Sequence, residues 1–408
     1  MSVYLDNSST TAQRREVTEA MTAAMEHTWG NPSSLHRMGV EAEKLVKASR
    51  KTIAHVLGAS EEEIYFTSGG TESDNTAVFG ACEARKRAGR HIVTTSIEHH
   101  AILECCSKLE NNGFEVTYLD PDENGVVSAE AVEAALREDT ILVSVMHTNN
   151  ETGAFQPIEQ IGALLSGRAN VFFHCDAVQS FGKIPIPVHQ LKIDALSASG
   201  HKLHGPKGMG VLYIDRKSRI VPYLYGGGQE RNMRSGTENV PGIVGIAKAA
   251  ELASEKMLEN LAHVAQIRDH LLRGILEEIP DVKINSPVTL SESGGALPTA
   301  ADSMCLPYIL NVSFLGTRAE VLLHMLEQSE IYVSTGSACS SNSKKKGSHV
   351  LRAIGLSDDE IEGAVRFSFS YQNTMEEIEE TLEKLKEAVS KNRKMLALAN
   401  KSKTQRRR

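Results

Sequence analysis

Between Ile64 and Ile214 short apolar runs alternate with helical segments: IYFT, HIVTT, FEVTYLD, TILVSVM, VFFHCDA, IDALSAS and GVLYI, with helix-patterned stretches between most of them. That alternation constrains the chain more than any other feature. Neighbouring parallel strands need a crossover, which a helix supplies, and the resulting sheet is covered on both faces. The spacing therefore predicts a mostly parallel α/β sheet. GVLYI follows IDALSAS after only a short glycine-rich turn and is expected to run antiparallel.

Polar residues gather where these runs end. Gly70, Thr71, His99, Asn150, Asp176, Gln179, Ser199, His201 and Lys202 all fall at or just past the carboxyl ends of the expected strands. In open α/β sheets, ligands sit along that edge. The turn SGGTES opens a helix near Thr71 and Glu72, and backbone N–H groups at a helix start favour an anion. Lys202 lies in SASGHKLHGPKGMG, directly after a buried run. A lysine delivered to a pocket in this way can act as a Schiff-base nucleophile, because partial desolvation frees its amine. Asp176 lies 26 residues earlier, at the end of FFHCD. A carboxylate able to pair a pyridinium nitrogen, followed by such a lysine, is the partnership expected of a pyridoxal-phosphate site. Ser199 and His201 offer donors suited to the phosphate.

The remaining segments are read in the same terms. Residues 3–5 form a short strand, and DNSSTT is a polar turn. A helix follows with Val17, Met21, Ala24 and Met25 on one face, and a second helix ends at Gly58. TILVSVMHTNN is read as a strand reaching Asn149 and Asn150. Past residue 215 the pattern changes to a glycine-rich loop with Arg231 and Arg234, then a long helix over 243–279. Short strands mixed with helices follow, predicting a smaller α+β domain. Segment 286–307 is rich in small residues, without period, and expected to be a flexible insertion.

Composition narrows the functional classes. A net charge of −8 gives no sign of nucleic-acid affinity. No apolar run approaches the ~18 residues of a membrane span. Six cysteines without a C-x-x-C pair argue against a disulfide framework or zinc site, and no metal is expected. The N-terminus lacks the pattern of a secretory or organellar leader, so a cytoplasmic location is expected. The basic end 399–408 is expected to be disordered.

Two further residues carry candidate chemistry. Cys339 stands in TGSACSSNSKKKGS, a segment too poor in apolar residues to pack firmly, beside Lys344, Lys345 and Lys346. Nearby positive charge lowers a thiol's pKa and raises its thiolate fraction. The other five cysteines lie in structural settings. Arg366, in AVRFSFS, has a planar fork suited to an α-carboxylate if it faces the cleft.

Together these motifs resemble the cysteine desulfurases of the NifS/IscS-like group, class-V aminotransferase-type enzymes that use pyridoxal 5'-phosphate. The likeness runs from YLDNSSTT through GNPSSLH, FTSGGTESDN, EHHA, NNETG, HCDAVQS, SGHKLHGPKG and RSGTENV to STGSACSS, HVLRAIGL and VRFSFS. It implies the aspartate-aminotransferase-like fold type I, with a seven-stranded, mostly parallel sheet. The implied large domain is 12–262, and a small α+β domain comprises 1–11 and 263–398 with a mobile cysteine loop at 335–348. It also implies that Lys202 holds the cofactor by a Schiff base, Asp176 pairs the ring nitrogen, and Gln179 bonds the phenolic oxygen. His99 would stack on the ring and shuttle a proton. Gly70, Thr71, Ser199 and His201 would bind phosphate, with Thr237 reaching it from the second subunit of a homodimer. Asn150 and Arg366 would hold L-cysteine, and Cys339 would take its sulfur as a persulfide, leaving alanine. The sulfur would then pass to an acceptor protein, such as an iron–sulfur scaffold or a thiolation enzyme. The chain departs from the group in the lysines after Cys339 and in the length of 286–307. A selenocysteine lyase, another aminotransferase and a non-catalytic scaffold of the same fold are the competing readings.

Overall fold

The computed structural model describes residues 2–288, 304–335 and 347–406. Cys339, Lys344, Lys345 and Lys346 lie outside these residues, as does most of the 286–307 insertion.

In chain order the first part comprises β1 (Val3–Tyr4), α1 (Arg15–His27), α2 (Arg37–Leu57), β2 (Ile64–Thr67), α3 (Gly70–Arg85), β3 (His91–Thr95), α4 (His100–Glu110) and β4 (Glu115–Leu119). It continues with α5 (Ala129–Ala135), β5 (Thr140–Ser144), α6 (Ile158–Leu165), β6 (Phe172–Asp176), β7 (Ala195–Ser199) and β8 (Gly210–Ile214). Seven strands form one sheet in the order β2-β8-β7-β6-β5-β3-β4. β8 runs antiparallel to both neighbours, as its short connection requires, and the other pairings are parallel.

Alternation along each strand sends neighbouring side chains to opposite faces. Ile92, Leu142, Phe172, Ala195 and Leu212 pack on one face with Ala77 and Val78 of α3 and Ile102 of α4. Their chain neighbours Val93, Val143, Phe173, Leu196 and Val211 pack on the other, among residues of α2 and α6. Both faces are therefore apolar, which is why these strands read as continuous hydrophobic runs. Burying one such phenylalanine contributes about 2–3 kcal/mol.

The second part contains α7 (Val240–Glu255), α8 (Met257–Glu278), β9 (Val282–Ile284), β10 (Ile309–Phe314), α9 (Ala319–Glu327), β11 (Ile331–Tyr332) and β12 (Ser334–Thr335). α10 (His349–Ala353), α11 (Asp358–Glu362), β13 (Ala364–Ser368) and α12 (Met375–Arg406) complete it. A four-stranded antiparallel sheet has the order β12-β13-β10-β9, and β1 pairs with β11 in parallel.

Several expectations are corrected. β5 stops at Ser144, so Asn149 and Asn150 lie in a turn, where the Asn149 side-chain oxygen accepts from the Glu151 and Thr152 N–H groups at 2.9 and 3.0 Å. Asparagine side chains bond the backbone two and three residues on in this way and favour turns. The helix expected over 243–279 is two, broken at Lys256 (φ −124°, ψ 25°). Met25 is 52% exposed, whereas Val17 and Ala24 are buried. The basic tail continues the last helix to Arg406. Gly58 takes the left-handed end position (φ 62°) that the sequence predicts.

Candidate active site

β7 ends at Ser199 and turns directly into a short 3-10 segment, Gly200–Lys202, which carries Lys202 past the carboxyl edge of the sheet. The Lys202 Nζ donates to the carbonyls of Ser8 at 2.5 Å and Ser9 at 2.9 Å. Gln179 Nε2 donates to the same Ser8 carbonyl at 3.0 Å. The segment Asp6–Thr11 is thus strapped across the lysine turn, and Thr11 fastens it: its N–H and its hydroxyl both reach the His201 carbonyl at 2.9 Å. The sequence marked this segment only as a polar turn. Its polarity was the visible signal, but its destination depended on the fold.

Asp176, the last residue of β6, is buried and accepts from the Val178 N–H at 2.9 Å. Burial pushes its carboxyl up to about 6, opposed by that hydrogen bond and by the Lys202 charge. Two more buried carboxyls stand near it. Burial, then the Asp176 charge, raises Asp74 well above the usual range. Glu98 is pushed up to about 8, chiefly by burial. Of the three, Asp176 has the cation as neighbour and is the one that holds negative charge at neutral pH. His174 stays neutral, pushed down to about 3 by burial, with its two nitrogens on Ser144 and Ser197 hydroxyls.

His99 precedes α4, and its Nδ1 accepts from the Ala101 N–H at 3.1 Å. Burial first, then Lys202, lower its pKa to about 4. The ring is therefore neutral, and its proton sits on Nε2. His201 is also pushed down to about 4 by burial, and its Nδ1 faces the Thr10 hydroxyl at 3.2 Å.

At the start of α3, Gly69 provides no side chain to cap the helix, leaving its N-terminal backbone accessible to another acceptor. A Cβ added at Gly70 would come within 2.7 Å of Val178 Cγ2 and 3.8 Å of Ser199 Cβ. Gly70 and Ser199 are thus in close approach, and Thr71 is exposed beside them. Thr237 is exposed on the loop before α7. That loop is held to α3 by Arg234, whose Nε donates to Glu72 at 2.8 Å.

Arg366 is buried, and its fork is already engaged. Nη1 donates to the Asn150 carbonyl at 3.0 Å, while Nη2 donates to Asp6 at 2.9 Å and Ser9 Oγ at 2.7 Å. The structure brings together Lys202, Gln179, Asp176 and His99, and joins Arg366 to Asn150. Sequence reasoning missed Asp6, Ser8, Ser9, Asp74, Glu98 and Glu151. The visible signal for Glu98 and Glu151 was a carboxylate beside a strand end in an otherwise uncharged stretch. Cys82, Cys105, Cys106, Cys175 and Cys305 are buried, as expected of structural thiols. Among the described residues, one set of possible metal ligands, Glu63, His189 and Asp215, lies near the opposite ends of β2 and β8. Both Glu63 oxygens there already accept backbone N–H groups, from Ser60 and Arg216.

The arrangement can seat a group with an anion at α3, a ring nitrogen at Asp176 and a carbonyl carbon within reach of Lys202. The profile of the family Aminotransferase class-V matches residues 3–381. "Cysteine desulfurase IscS" of Methanosarcina thermophila is 46% identical over 399 residues, covering 98% of this chain and 95% of that protein. A solved "NifS-like protein" superposes with a TM-score of 0.87 at 40% identity, covering 96% of this chain and all of the other. The structure titled "SspA in complex with cysteine" gives a TM-score of 0.77 at 36% identity, over 91% of this chain and 100% of its own.

Proposed function

The chain belongs to the class-V aminotransferase family, and from that membership we infer how its own residues share out the work of a cysteine desulfurase. The reaction converts L-cysteine and a protein thiol into L-alanine and a protein persulfide. The cofactor is pyridoxal 5'-phosphate, and the site fits it. A buried carboxylate, Asp176, ends its strand beside Lys202. Gln179 Oε1 is buried without a hydrogen-bond partner, and α3 begins without a side-chain cap. When bound, the cofactor supplies an electron sink for the charge left at the substrate's α-carbon.

Lys202 would hold the cofactor, and its Nζ, when free, would take the substrate's α-proton. Asp176 would keep the ring nitrogen protonated. Gln179 would bond the phenolic oxygen, and Gly70, Thr71, Ser199 and His201 would hold the phosphate. His99 would cover the ring and, with its proton on Nε2, is set to donate rather than accept there. Arg366, with Asn150, grips the substrate carboxylate by exchanging its contacts to Asp6 and Ser9 for the new anion. Cys339 attacks the substrate sulfur: an S–S bond forms and the Cβ–S bond breaks. The persulfide passes to an acceptor protein such as an iron–sulfur scaffold.

The functional unit is a homodimer in the cytoplasm, with Thr237 of one subunit serving the phosphate of the other. Exposed Trp29, Leu35 and Tyr225 (70%, 99% and 77%) support such a contact. Among the described residues no helix is long and apolar enough to cross a membrane.

The observation that carries this reading is the buried Asp176 carboxylate beside the lysine turn. Its test is Cys339→Ala. Alanine release from L-cysteine should stop while the visible absorbance of the bound cofactor persists; continued turnover would remove Cys339 from the reaction.

A further inference from the structure

Lys183 plays no part in the reaction above. It lies seven residues past the end of β6 and is only 7% exposed. Among the described residues it makes no ion pair; its Nζ lies over the Tyr308 ring, 5.2 Å from the centroid. A buried ammonium ordinarily sits beside a carboxylate, because desolvation penalises an unpaired charge.

Its charged neighbour is instead a second lysine. Lys183 and Lys202 line the same small cavity, about 20 Å³, with Asn7, Thr11, His204 and Ser370. That is room for one water, in a setting with enough polar partners to hold it. Around Lys183 the titratable groups are Lys202 and His204 from the turn after β7, Tyr308 ahead of β10 and Tyr371 after β13. Arg14 lies beyond Tyr371, at 3.3 Å from its hydroxyl, and Asp176 lies near Lys202. Burial, then the charge on Lys202, pushes the Lys183 amine down to about 7. Two interacting amines in one desolvated space do not both stay protonated. When the proton is on Lys202, the carbonyls of Ser8 and Ser9 accept it.

We propose that Lys183 is a positioning residue for Lys202: the two amines hold one proton between them, and Lys183 accepts the proton that Lys202 must lose before its nitrogen can act. One N–H bond breaks on Lys202 and one forms on Lys183, directly or through a single water, and no other group changes charge. This rests on the reading of Lys202 as the lysine that attaches the cofactor.

The test uses the full-length protein stripped of cofactor. Lys202 is labelled with trace acetic anhydride across about pH 6 to 11 and quantified by mass spectrometry, bracketing the ordinary lysine range. In Lys183→Met the labelling midpoint of Lys202 should rise by about one unit or more, and capture of added pyridoxal phosphate at neutral pH should slow about tenfold. Lys183→Arg keeps a positive charge but accepts no proton, so Lys202 should stay reactive while the inflection near pH 7 in the natural protein's capture profile disappears. Equal Lys202 midpoints in the natural and Met proteins would overturn the proposal. Should the Met variant fail to fold, an inflection persisting in the Arg variant would do the same. Borohydride trapping of the cofactor on a peptide without Lys202 would instead overturn the underlying assignment.

Discussion

Ser348 donates its hydroxyl to the Glu151 carboxylate at 2.5 Å, and both residues are buried. The same hydroxyl oxygen accepts from the Leu351 N–H at 3.0 Å and caps α10. One side chain therefore fixes the start of that helix to the turn whose Asn150 carbonyl holds Arg366. Ser348→Ala removes the cap and leaves a buried carboxyl without its donor. A loss of about 2–3 kcal/mol is expected, read as a lower urea midpoint. Ser348→Thr, which keeps the hydroxyl, should recover most of it.

Glu98 gives a pH-dependent outcome whose sign can be worked through. Its folded pKa, about 8, lies above its ordinary 4.5. Below the ordinary value both states hold the proton and the effect vanishes. As pH rises through that window the unfolded chain loses the proton first, so native stability falls and then levels off above about 8. Glu98→Gln has no proton to lose. Its amide oxygen can keep the bonds from Thr95 and Met146, and its NH₂ replaces an oxygen that has no partner. The variant should gain on the natural protein across this window, by on the order of 4 kcal/mol at the top. Urea unfolding at both ends of the window measures it; a constant difference would count against the buried carboxyl as its source.

Arg50 and Glu230 form a two-pronged buried ion pair, with bonds of 2.8 and 2.7 Å, and Glu230 also accepts from the Phe66 N–H at 2.9 Å. The pair pins the glycine-rich loop against β2. Removing one partner strands a charge, so Glu230→Ala should cost about 3–5 kcal/mol in thermal or urea unfolding.

Gly70 tests the anion seat. A Cβ there meets Val178 at 2.7 Å, too close without a shift of Val178 or of the helix start. Gly70→Ala should retain its far-ultraviolet circular dichroism but lose cofactor about tenfold faster in dialysis followed by absorbance, a change of ~1.4 kcal/mol.

Much of the sheet was legible because period and length report burial directly. Ile92 beside Val93, or Phe172 beside Phe173, marks a strand apolar on both faces, and both pairs are split between opposite faces. The edge where Asp176 and Ser199 end their strands, with Lys202 just beyond, follows from the same pattern. Local breaks were harder to see: the strand that stops at Ser144 ahead of the Asn149 turn, and the change of backbone angles at Lys256 that divides two helices. Contacts made by topology were not legible. Arg366 reaches Asp6 across 360 positions, and no local window contains both. The raised carboxyls were hidden for a related reason, since a glutamate such as Glu98 shows its burial only when the fold closes around it.

The strap Asp6–Thr11 lies over the lysine turn and is itself tied down by Arg366 and Ser368. The strap is thus completed by residues some 360 positions further along the chain. While the polypeptide is still emerging from the ribosome, the ledge of carbonyls beneath Lys202 has no anchor on β13. A protein lacking β13 would keep the Thr11 fastening to His201 but lose the Arg366 and Ser368 anchors of that ledge.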